Sequence, residues 1–232
     1  MKQYIRSLVE RLFSNFATKR DLDNLFVQLS AVMELKQFIG PELLIGPFRD
    51  WALSPDALLI VVRDILSRRD CRVLEFGAGE STIAIAATLR KLGAGRLMTV
   101  EHDPQFARQI DDRLRQARLE QNARICVAPL KEYRGFHGFP PFHSYDLSSI
   151  DSEAAFDVAL IDGPISTHGP ATRAVPLAHC IEMMTEDCVV YLDDAARAGE
   201  QSVLRHFSKT TPKVAFTYLR TEKGLARLSP AR

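Results

Sequence analysis

Short apolar runs alternate with helical patterns through the middle of the chain, and this alternation restricts the fold more than any other feature. Glycine or acidic residues end most of these runs, and amphipathic segments such as STIAIAATLRKL follow them. Strands that alternate with helices form parallel sheets with helices packed on both faces. The sequence therefore predicts a doubly wound α/β domain with five parallel strands: CRVLEF, LMTVEHD, ARICVAPL, FDVALIDGP and DCVVYLDDA.

Two further apolar runs close the chain. KVAFTYLR and GLARLSP are separated by a short polar turn that contains Glu222, Lys223 and Gly224. Two strand-like runs joined by such a turn are typical of an antiparallel pair. With them, the predicted sheet has seven strands, is mostly parallel, and ends in a terminal antiparallel strand pair.

The first 39 residues have the pattern of a helical arm that precedes this domain. We define the heptad seam as the positions that follow one another in alternating steps of three and four: Ile5, Leu8, Leu12, Asn15, Lys19, Leu22, Phe26, Leu29, Met33 and Lys36. The seam predicts either a short coiled coil, with Asn15 setting its register, or an amphipathic helix that packs on its own domain. The second alternative includes a break near residues 17–19. A helix lying on a membrane surface is a third alternative.

Gly40-Pro41 and Gly46-Pro47 mark a turn-rich connection after the arm. The predicted division is therefore a helical arm at residues 1–39 and an α/β domain at residues 40–232. If the coiled-coil alternative holds, the chain forms a homo-oligomer through residues 1–39.

Composition limits the partners and the compartment. The 30 Lys and Arg residues against 29 Asp and Glu residues leave a formal charge of +1, whereas a dedicated nucleic-acid binder carries a strong basic excess. Charges interrupt the apolar stretches at the N-terminus, and no run approaches the ~20 apolar residues that span a bilayer. The four cysteines lack metal-ligand spacing and are predicted to be reduced core residues. We expect a cytoplasmic protein without a nucleic-acid partner or a transmembrane segment, and peripheral membrane contact stays open.

A glycine-rich turn follows the first predicted strand and opens a helix. In the segment EFGAGEST, Gly77 and Gly79 bring open backbone to the carboxyl edge of a parallel sheet, where ligands bind. A nicotinamide-binding fingerprint would continue with a third glycine, and Thr82 stands there instead. Glu75 precedes the turn, and Glu101 ends the next strand, where an acid can bind both ribose hydroxyls of an adenosine. These carboxylates favour a cofactor with a positive centre.

Three segments carry a family resemblance. VLEFGAGEST resembles the first motif of class I S-adenosylmethionine-dependent methyltransferases, TVEHDP resembles their acidic second motif, and FDVALIDGP resembles the fourth. The resemblance extends over residues 55–230 and implies a Rossmann-like fold with S-adenosylmethionine as the cofactor. It places the ribose at Glu101 and the methionine end near the glycine turn. The implied cofactor-binding residues are Glu75, Gly77, Ala78, Gly79, Ser81, Thr82, Glu101 and Asp162.

Acidic residues end the fourth and fifth predicted strands, which are neighbours in such a sheet. Asp162, Asp193 and Asp194 would converge at the carboxyl edge and either raise one another's pKa or hold Mg²⁺ through oxygen ligands. This resembles the catechol-type and the macrolide or sugar O-methyltransferases, in which acids at these places bind a metal. Those families usually have Asp-Asn or a longer acidic motif after the fifth strand, whereas this chain has Leu192-Asp193-Asp194-Ala195. The alternative to a metal site at Asp193-Asp194 is helix capping and an ion pair with Arg197.

Three residues are candidates for catalysis: Asp162, Asp194 and His168. His168 lies in a short polar loop after Asp162-Gly163-Pro164, from which an imidazole could reach a bound alcohol. Arg173, five residues further on, is expected to bind either the substrate or Asp194.

The predicted function is O-methylation of a small hydroxylated acceptor, such as a sugar of a bacterial surface polysaccharide. Two other functions stay open: a nicotinamide-dependent oxidoreductase on a Rossmann fold, and a non-catalytic adaptor that retains the cofactor fold. The aromatic insertion, which we define as residues 131–155, is predicted to be irregular and is either a packing element or a substrate lid.

Overall fold

The computed structural model describes residues 18–40, 43, 46, 48, 52–150 and 155–231. The strands are β1 (Arg72–Phe76), β2 (Arg96–Glu101), β3 (Ala123–Val127), β4 (Leu130–Tyr133), β5 (Phe142–Tyr145), β6 (Val158–Ile161), β7 (Val189–Leu192), β8 (Val214–Leu219) and β9 (Leu225–Pro230). Seven of them form one sheet in the order β3-β2-β1-β6-β7-β9-β8. The first five in this order are parallel, and β9 runs antiparallel to both β7 and β8. The predicted Rossmann-like sheet with its terminal antiparallel pair is confirmed.

Helices cover both faces of this sheet. They are α1 (Lys19–Ile39), α2 (Pro55–Leu66), α3 (Glu80–Leu92), α4 (Pro104–Gln116), α5 (Ala174–Glu182) and α6 (Ala198–Thr210). Successive residues of β6 point to opposite faces: Val158 and Leu160 join the hydrophobic cluster under α2 and α3, whereas Ala159 and Ile161 join the cluster under α5. Because both faces are covered, the parallel strands are apolar throughout, which explains the runs seen in the sequence.

Helix α1 packs on the domain with a stripe other than the heptad seam. Thr18 caps its first turn, its hydroxyl accepting a hydrogen bond from the Asp21 amide, so the helix begins next to the predicted break at 17–19. Ala31, Leu35 and Ile39 are buried against α2 and α3. The four apolar seam residues of the described helix are exposed, by 47% at Leu22, 70% at Phe26, 51% at Leu29 and 69% at Met33. The seam residue Lys36 is half-buried and donates a hydrogen bond to the Leu43 carbonyl. Seam positions before Thr18 lie outside the described residues.

The aromatic insertion contains a β-hairpin where the sequence predicts an irregular segment. Strands β4 and β5 pair antiparallel, and Tyr133 stands directly opposite Phe142, with their rings stacked at a centroid distance of 5.8 Å. A cross-strand aromatic pair of this kind stabilises a hairpin without a long alternating pattern. Phe142 and Tyr145 are buried in the cluster under α5, so part of this insertion belongs to the core.

The structure also bears on the predictions about membrane-spanning helices and about the cysteines. Among the described residues, no helix combines the length and the apolar character that crossing a bilayer requires. The four cysteines are unpaired thiols, and three of them, Cys71, Cys180 and Cys188, are buried.

Candidate active site

A cavity of about 550 Å³ opens at the carboxyl edge of the sheet. It is lined by the turn after β1 at residues 77–81, by the end of β2 at residues 101–103, and by the end of β6 at residues 162–165. Tyr145 of β5 also lines it, as do Ala52 and Leu53 before α2 and four residues of α4: Phe106, Gln109, Ile110 and Arg113. Ligands of doubly wound sheets bind at this edge, and the carboxylates in the lining favour a ligand that carries positive charge.

The glycine turn leaves room for such a ligand. Gly77 has φ +98°, and a Cβ on it would lie 3.0 Å from the backbone of Asp162, so no other residue fits there without a shift of the β6 end. Gly79 has no atom within 4 Å of the place of a Cβ. The turn therefore packs tightly on β6 at Gly77 and exposes open backbone to the cavity at Gly79.

Glu75 is fully buried beneath this turn and does not line the cavity. Its carboxylate accepts hydrogen bonds from the hydroxyls of Ser81 (2.5 Å), Thr82 (2.6 Å) and Thr99 (2.7 Å). Burial raises the pKa of Glu75 to about 7, although these three hydrogen bonds act against the rise. Thr82 Oγ1 also accepts from the Gly79 amide, so Glu75 and the two hydroxyls hold the first turn of α3.

Glu101, at the end of β2, is a buried acid that lines the cavity. It accepts hydrogen bonds from the backbone amides of Ala78 (3.0 Å), His102 (2.7 Å) and Asp103 (2.9 Å). Burial tends to raise the pKa of this carboxyl, but the hydrogen bonds outweigh it and the pKa is lowered. The Glu101 carboxylate in turn raises the pKa of His102, whose ring Nδ1 lies 2.8 Å from Glu101 Oε1. Glu101 is thus held as an anion facing the cavity.

The three predicted acids do come together. Carboxylate oxygens of Asp162, Asp193 and Asp194 lie within 4.8 Å of one another. The buried Arg173 guanidinium lies among them, with Nη2 3.2 Å from Asp162 Oδ1 and 2.9 Å from Asp194 Oδ2. The Arg197 side chain also approaches Asp194 Oδ2, at 2.7 Å. The expected contacts of Asp194 with Arg173 and with Arg197 are both present.

This acid cluster, as we call Asp162, Asp193 and Asp194, carries more negative charge than its contacts satisfy. Burial and the neighbouring carboxylates raise the pKa of Asp162 well above its ordinary value and that of Asp193 to about 6, while Arg173 acts against both shifts. Both carboxylate oxygens of Asp193 and one of Asp194 are buried without a hydrogen-bond partner among the described residues. Oxygen atoms in this state suit either a proton on one carboxyl or a hard divalent cation such as Mg²⁺.

Residues 74–195, more than half of the chain, match the family model described as a methyltransferase domain. The chain belongs to this family. It is a class I S-adenosylmethionine-dependent methyltransferase, as the three sequence motifs predict, and its cofactor is S-adenosylmethionine. No protein of curated function matches the sequence.

Solved methyltransferases share the fold at low sequence identity. The PaMTH1 methyltransferase of Podospora anserina, crystallised with S-adenosylhomocysteine (SAH), is 13% identical with a TM-score of 0.64, over 94% of this chain and 98% of that one. An O-methyltransferase from Bacillus cereus in complex with SAH is 18% identical with a TM-score of 0.62, over 90% and 97%. TomG, the O-methyltransferase of tomaymycin synthesis in Streptomyces achromogenes, bound to S-adenosylmethionine, is 19% identical with a TM-score of 0.57, over 97% and 96%.

His168 of this methyltransferase lies beside His102, the residue that follows Glu101. It ends a short helical turn, Ser166–His168, and its ring centroid is 5.6 Å from that of His102. Partial burial, His102 and His143 lower its pKa, so the ring is neutral and able to accept a proton at neutral pH. His102, which the sequence pattern marks only as a neighbour of Glu101, lines the cavity, whereas His168 is not among the described residues that line it.

Tyr145 is the site residue that sequence reasoning missed in this methyltransferase. The sequence indicates only that the aromatic residues of the insertion need a place to be buried, and hairpin β4–β5 places this one in the cavity wall. Its hydroxyl is buried and has no hydrogen-bond partner among the described residues. The short FHSY run has too little pattern to reveal which of its side chains reaches a site.

Proposed function

We propose that this methyltransferase transfers the methyl group to a hydroxyl of a small acceptor. The acid cluster carries the proposal, because its three carboxylates come together beside the cavity and two of them, Asp193 and Asp194, have unsatisfied oxygens. Asp162 belongs both to the cluster and to the cavity lining. Solved structures of similar fold include the O-methyltransferases of Bacillus cereus and Streptomyces achromogenes. A hydroxyl acceptor must lose its proton during methyl transfer, so a general base has to lie close to it.

The cofactor is proposed to lie between the glycine turn and the acid cluster. In this arrangement Gly77, Ala78 and Gly79 border the methionine end, and Glu101 binds the ribose hydroxyls. Ser81 lines the same part of the cavity, whereas Glu75 and Thr82 act from below through the hydroxyl contacts described above. When bound, S-adenosylmethionine would supply a methyl group on a sulfonium centre, and the acceptor oxygen would bond to this methyl carbon in line as the neutral thioether SAH leaves.

The acid cluster is proposed to receive the acceptor hydroxyl. Asp193, with a pKa of about 6 and two side-chain oxygens that lack a hydrogen-bond partner in the described part of the chain, can take a proton at neutral pH. Asp162 and Asp194 are oriented by Arg173, and His168 is the second candidate base. If Mg²⁺ binds, Asp162, Asp193 and Asp194 are the residues that would hold it, and the ion would lower the pKa of a coordinated hydroxyl.

A sugar is the acceptor class we favour, because its several hydroxyls suit a site built from several carboxylates. A sugar of a surface polysaccharide is one member of this class. The family membership argues against the nicotinamide-dependent alternative. We further propose self-association through the exposed seam of α1, and a cytoplasmic location in which the four cysteines stay reduced. Neither a nucleic-acid partner nor a membrane partner is part of the proposal.

Binding of SAH by the Glu101→Ala variant tests the proposed cofactor position. Loss of charge-assisted hydrogen bonds to the ribose should weaken binding by about 2–3 kcal/mol, measured by calorimetry on protein whose thermal unfolding has been checked. The exposed Glu120→Ala variant is the control and should bind like the parent. Unchanged affinity of Glu101→Ala would remove this residue from the cofactor site.

Transfer of labelled methyl from S-adenosylmethionine to a panel of sugars, catechols and amines tests the proposed acceptor. We expect label on hydroxyl oxygens, located by mass spectrometry of the product. Label on the amines alone would contradict O-methylation and would leave the family assignment intact.

A further inference from the structure

Two histidines from distant parts of the chain meet at the tip of the aromatic insertion. His137 lies in the short helical turn Phe136–Gly138 between β4 and β5, and His206 lies in α6. Their ring nitrogens, His137 Nδ1 and His206 Nε2, are 3.3 Å apart. Neither histidine is among the described residues that line the cavity, so the proposed methyl transfer leaves this pair without a role.

The distance between the two nitrogens fits a shared metal ion. Hydrogen bonds from N–H groups normally span about 2.7–3.2 Å between heavy atoms, so a direct bond between these rings would be long and weak. A tetrahedral Zn²⁺ ion lies about 2.0–2.1 Å from each histidine nitrogen, which puts two such ligand atoms about 3.3–3.4 Å apart. The two rings therefore stand at the spacing of neighbouring zinc ligands.

Aromatic contacts hold both rings in place. The buried Phe207 ring contacts both of them, with centroid distances of 5.0 Å to His137 and 5.3 Å to His206. Phe136 contacts the His137 ring at 4.7 Å, and Phe139 contacts the His206 ring at 5.1 Å. Because the side chains are positioned by this packing, an ion would not have to order them on binding.

The backbone at His137 is an independent sign that this side chain has a use. His137 has φ 49°, in the left-handed region that favours glycine. Its neighbour Gly138 has a positive φ as well, but there no side chain opposes it. A strained conformation at a residue with a side chain is characteristic of functional positions.

The protonation state and the exposure of the pair also suit a metal. Burial and the neighbouring His137 lower the pKa of His206, so its ring is neutral at neutral pH, and neutral imidazole is the form that binds metals. His137 is exposed, which leaves room for water. Among the described residues, only the acid cluster brings three metal-binding side chains together, so this pair would supply two ligands and water the others.

We propose that His137 and His206 bind a divalent transition-metal ion of the zinc class, and that the ion fixes the tip of the aromatic insertion on α6. Imidazole ligands select such ions, whereas the oxygen ligands of the acid cluster suit Mg²⁺. The inference does not depend on the proposed function. It gives the two elements a joint that only the metal closes, and one of them, the insertion, also supplies Tyr145 to the cavity wall.

Calorimetric titration with Zn²⁺ tests this site in the full chain. The variants are His206→Gln and His137→Asn, the latter because asparagine tolerates the left-handed conformation. We expect either variant to bind Zn²⁺ about 10–100-fold more weakly than the parent at this site, and Zn²⁺ to raise the melting temperature of the parent alone. The matched control is His143→Gln, which removes an exposed histidine of the same hairpin and should behave like the parent.

Three outcomes would overturn the inference. A parent that does not bind Zn²⁺ would reduce the pair to a hydrogen bond. Equal Zn²⁺ affinity in the parent and in both variants would assign the bound ion to another site, such as the acid cluster. An equal loss in His143→Gln would show that exposed imidazoles bind Zn²⁺ without a defined site. Binding of SAH, measured on the same proteins, should be unchanged in all of them, so that failure of the metal site leaves the cofactor site standing.

Discussion

Burying a carboxylate in this site costs free energy, and the residues around each buried acid offset that cost to different degrees. Glu75 and Asp193 are both fully buried, yet their contacts differ. Glu75 has three hydroxyl donors, whereas Asp193 has no side-chain partner among the described residues. A buried carboxylate whose oxygens accept hydrogen bonds stabilises the local structure. One whose oxygens lack such partners can bind a proton or a cation.

Replacement of Glu75 by Gln should flatten the pH dependence of stability. The pKa of Glu75 rises from an ordinary value of 4.5 to about 7 in the folded chain, so the folded state binds the proton more tightly. The free energy of unfolding therefore falls as pH rises through this window, by about 3 kcal/mol for this one group. Urea unfolding at pH 5 and pH 8 should show this loss reduced in Glu75→Gln. The exposed Glu120→Gln variant should retain the full loss, and an equal loss in all three proteins would contradict the assigned burial cost.

Helix α1 shows how one element can present two apolar stripes. Its inner stripe, Ala31, Leu35 and Ile39, is consumed by packing on the domain. Its outer stripe is the heptad seam, which the described domain leaves exposed at Leu22, Phe26, Leu29 and Met33. The two alternatives for the arm therefore do not exclude each other, since each uses its own stripe.

Charges placed in the seam should dissociate the proposed oligomer. Aspartate at both Leu22 and Leu29 would be buried in an apolar interface, at a cost that a helix pair cannot offset. Light scattering should then give the mass of a single chain for the double variant and a multiple of it for the parent. The control is Val27→Asp, because Val27 is 51% exposed on the same helix but lies outside the seam. Equal masses for the double variant and the parent would leave the seam without a partner.

The whole sheet is needed to assemble the acid cluster. Asp162 follows β6, Asp193 and Asp194 follow β7, and Arg173 precedes α5. These residues are distant in the chain, and the parallel pairing of β6 with β7 brings them together. The Arg173 guanidinium, from the turn before α5, then neutralises part of the charge, which allows three carboxylates to lie close together.

Replacement of Asp193 by Asn should lower turnover without lowering the free energy of unfolding. Loss of the base or metal ligand should lower turnover by about 10²–10⁴-fold, measured as SAH release with a competent acceptor. At pH 8 the free energy of unfolding should not fall, because the pKa of Asp193 is raised to about 6 and its charge therefore opposes folding above that pH. The exposed Asp187→Asn variant should match the parent in both measurements. Full turnover in Asp193→Asn would exclude this residue from the reaction.

Chelation distinguishes the two ways in which the acid cluster can act. If the cluster holds Mg²⁺, a chelator should abolish turnover and added Mg²⁺ should restore it. If one carboxyl is the base, turnover should survive the chelator and fall only in the Asp-to-Asn variants. The Mg²⁺ route predicts in addition a rise in melting temperature with added Mg²⁺ that is absent in Asp193→Asn.

The periodicity of apolar residues is a local pattern that can be read directly from the chain. The sequence by itself therefore determined the seven strands of the main sheet, their order along the chain and the glycine turn before α3. It also determined that acids at the ends of β6 and β7 would converge, because parallel neighbours end at one edge. The sequence left the partner of Arg173 open between the substrate and Asp194, and the tertiary structure shows the contact with Asp194. Only the tertiary structure decided that the inner stripe of α1 packs while the apolar seam residues stay exposed, and that hairpin β4–β5 brings Tyr145 to Gly163. These outcomes depend on contacts between segments far apart in the chain, and a local pattern carries no information about which distant surface a side chain meets.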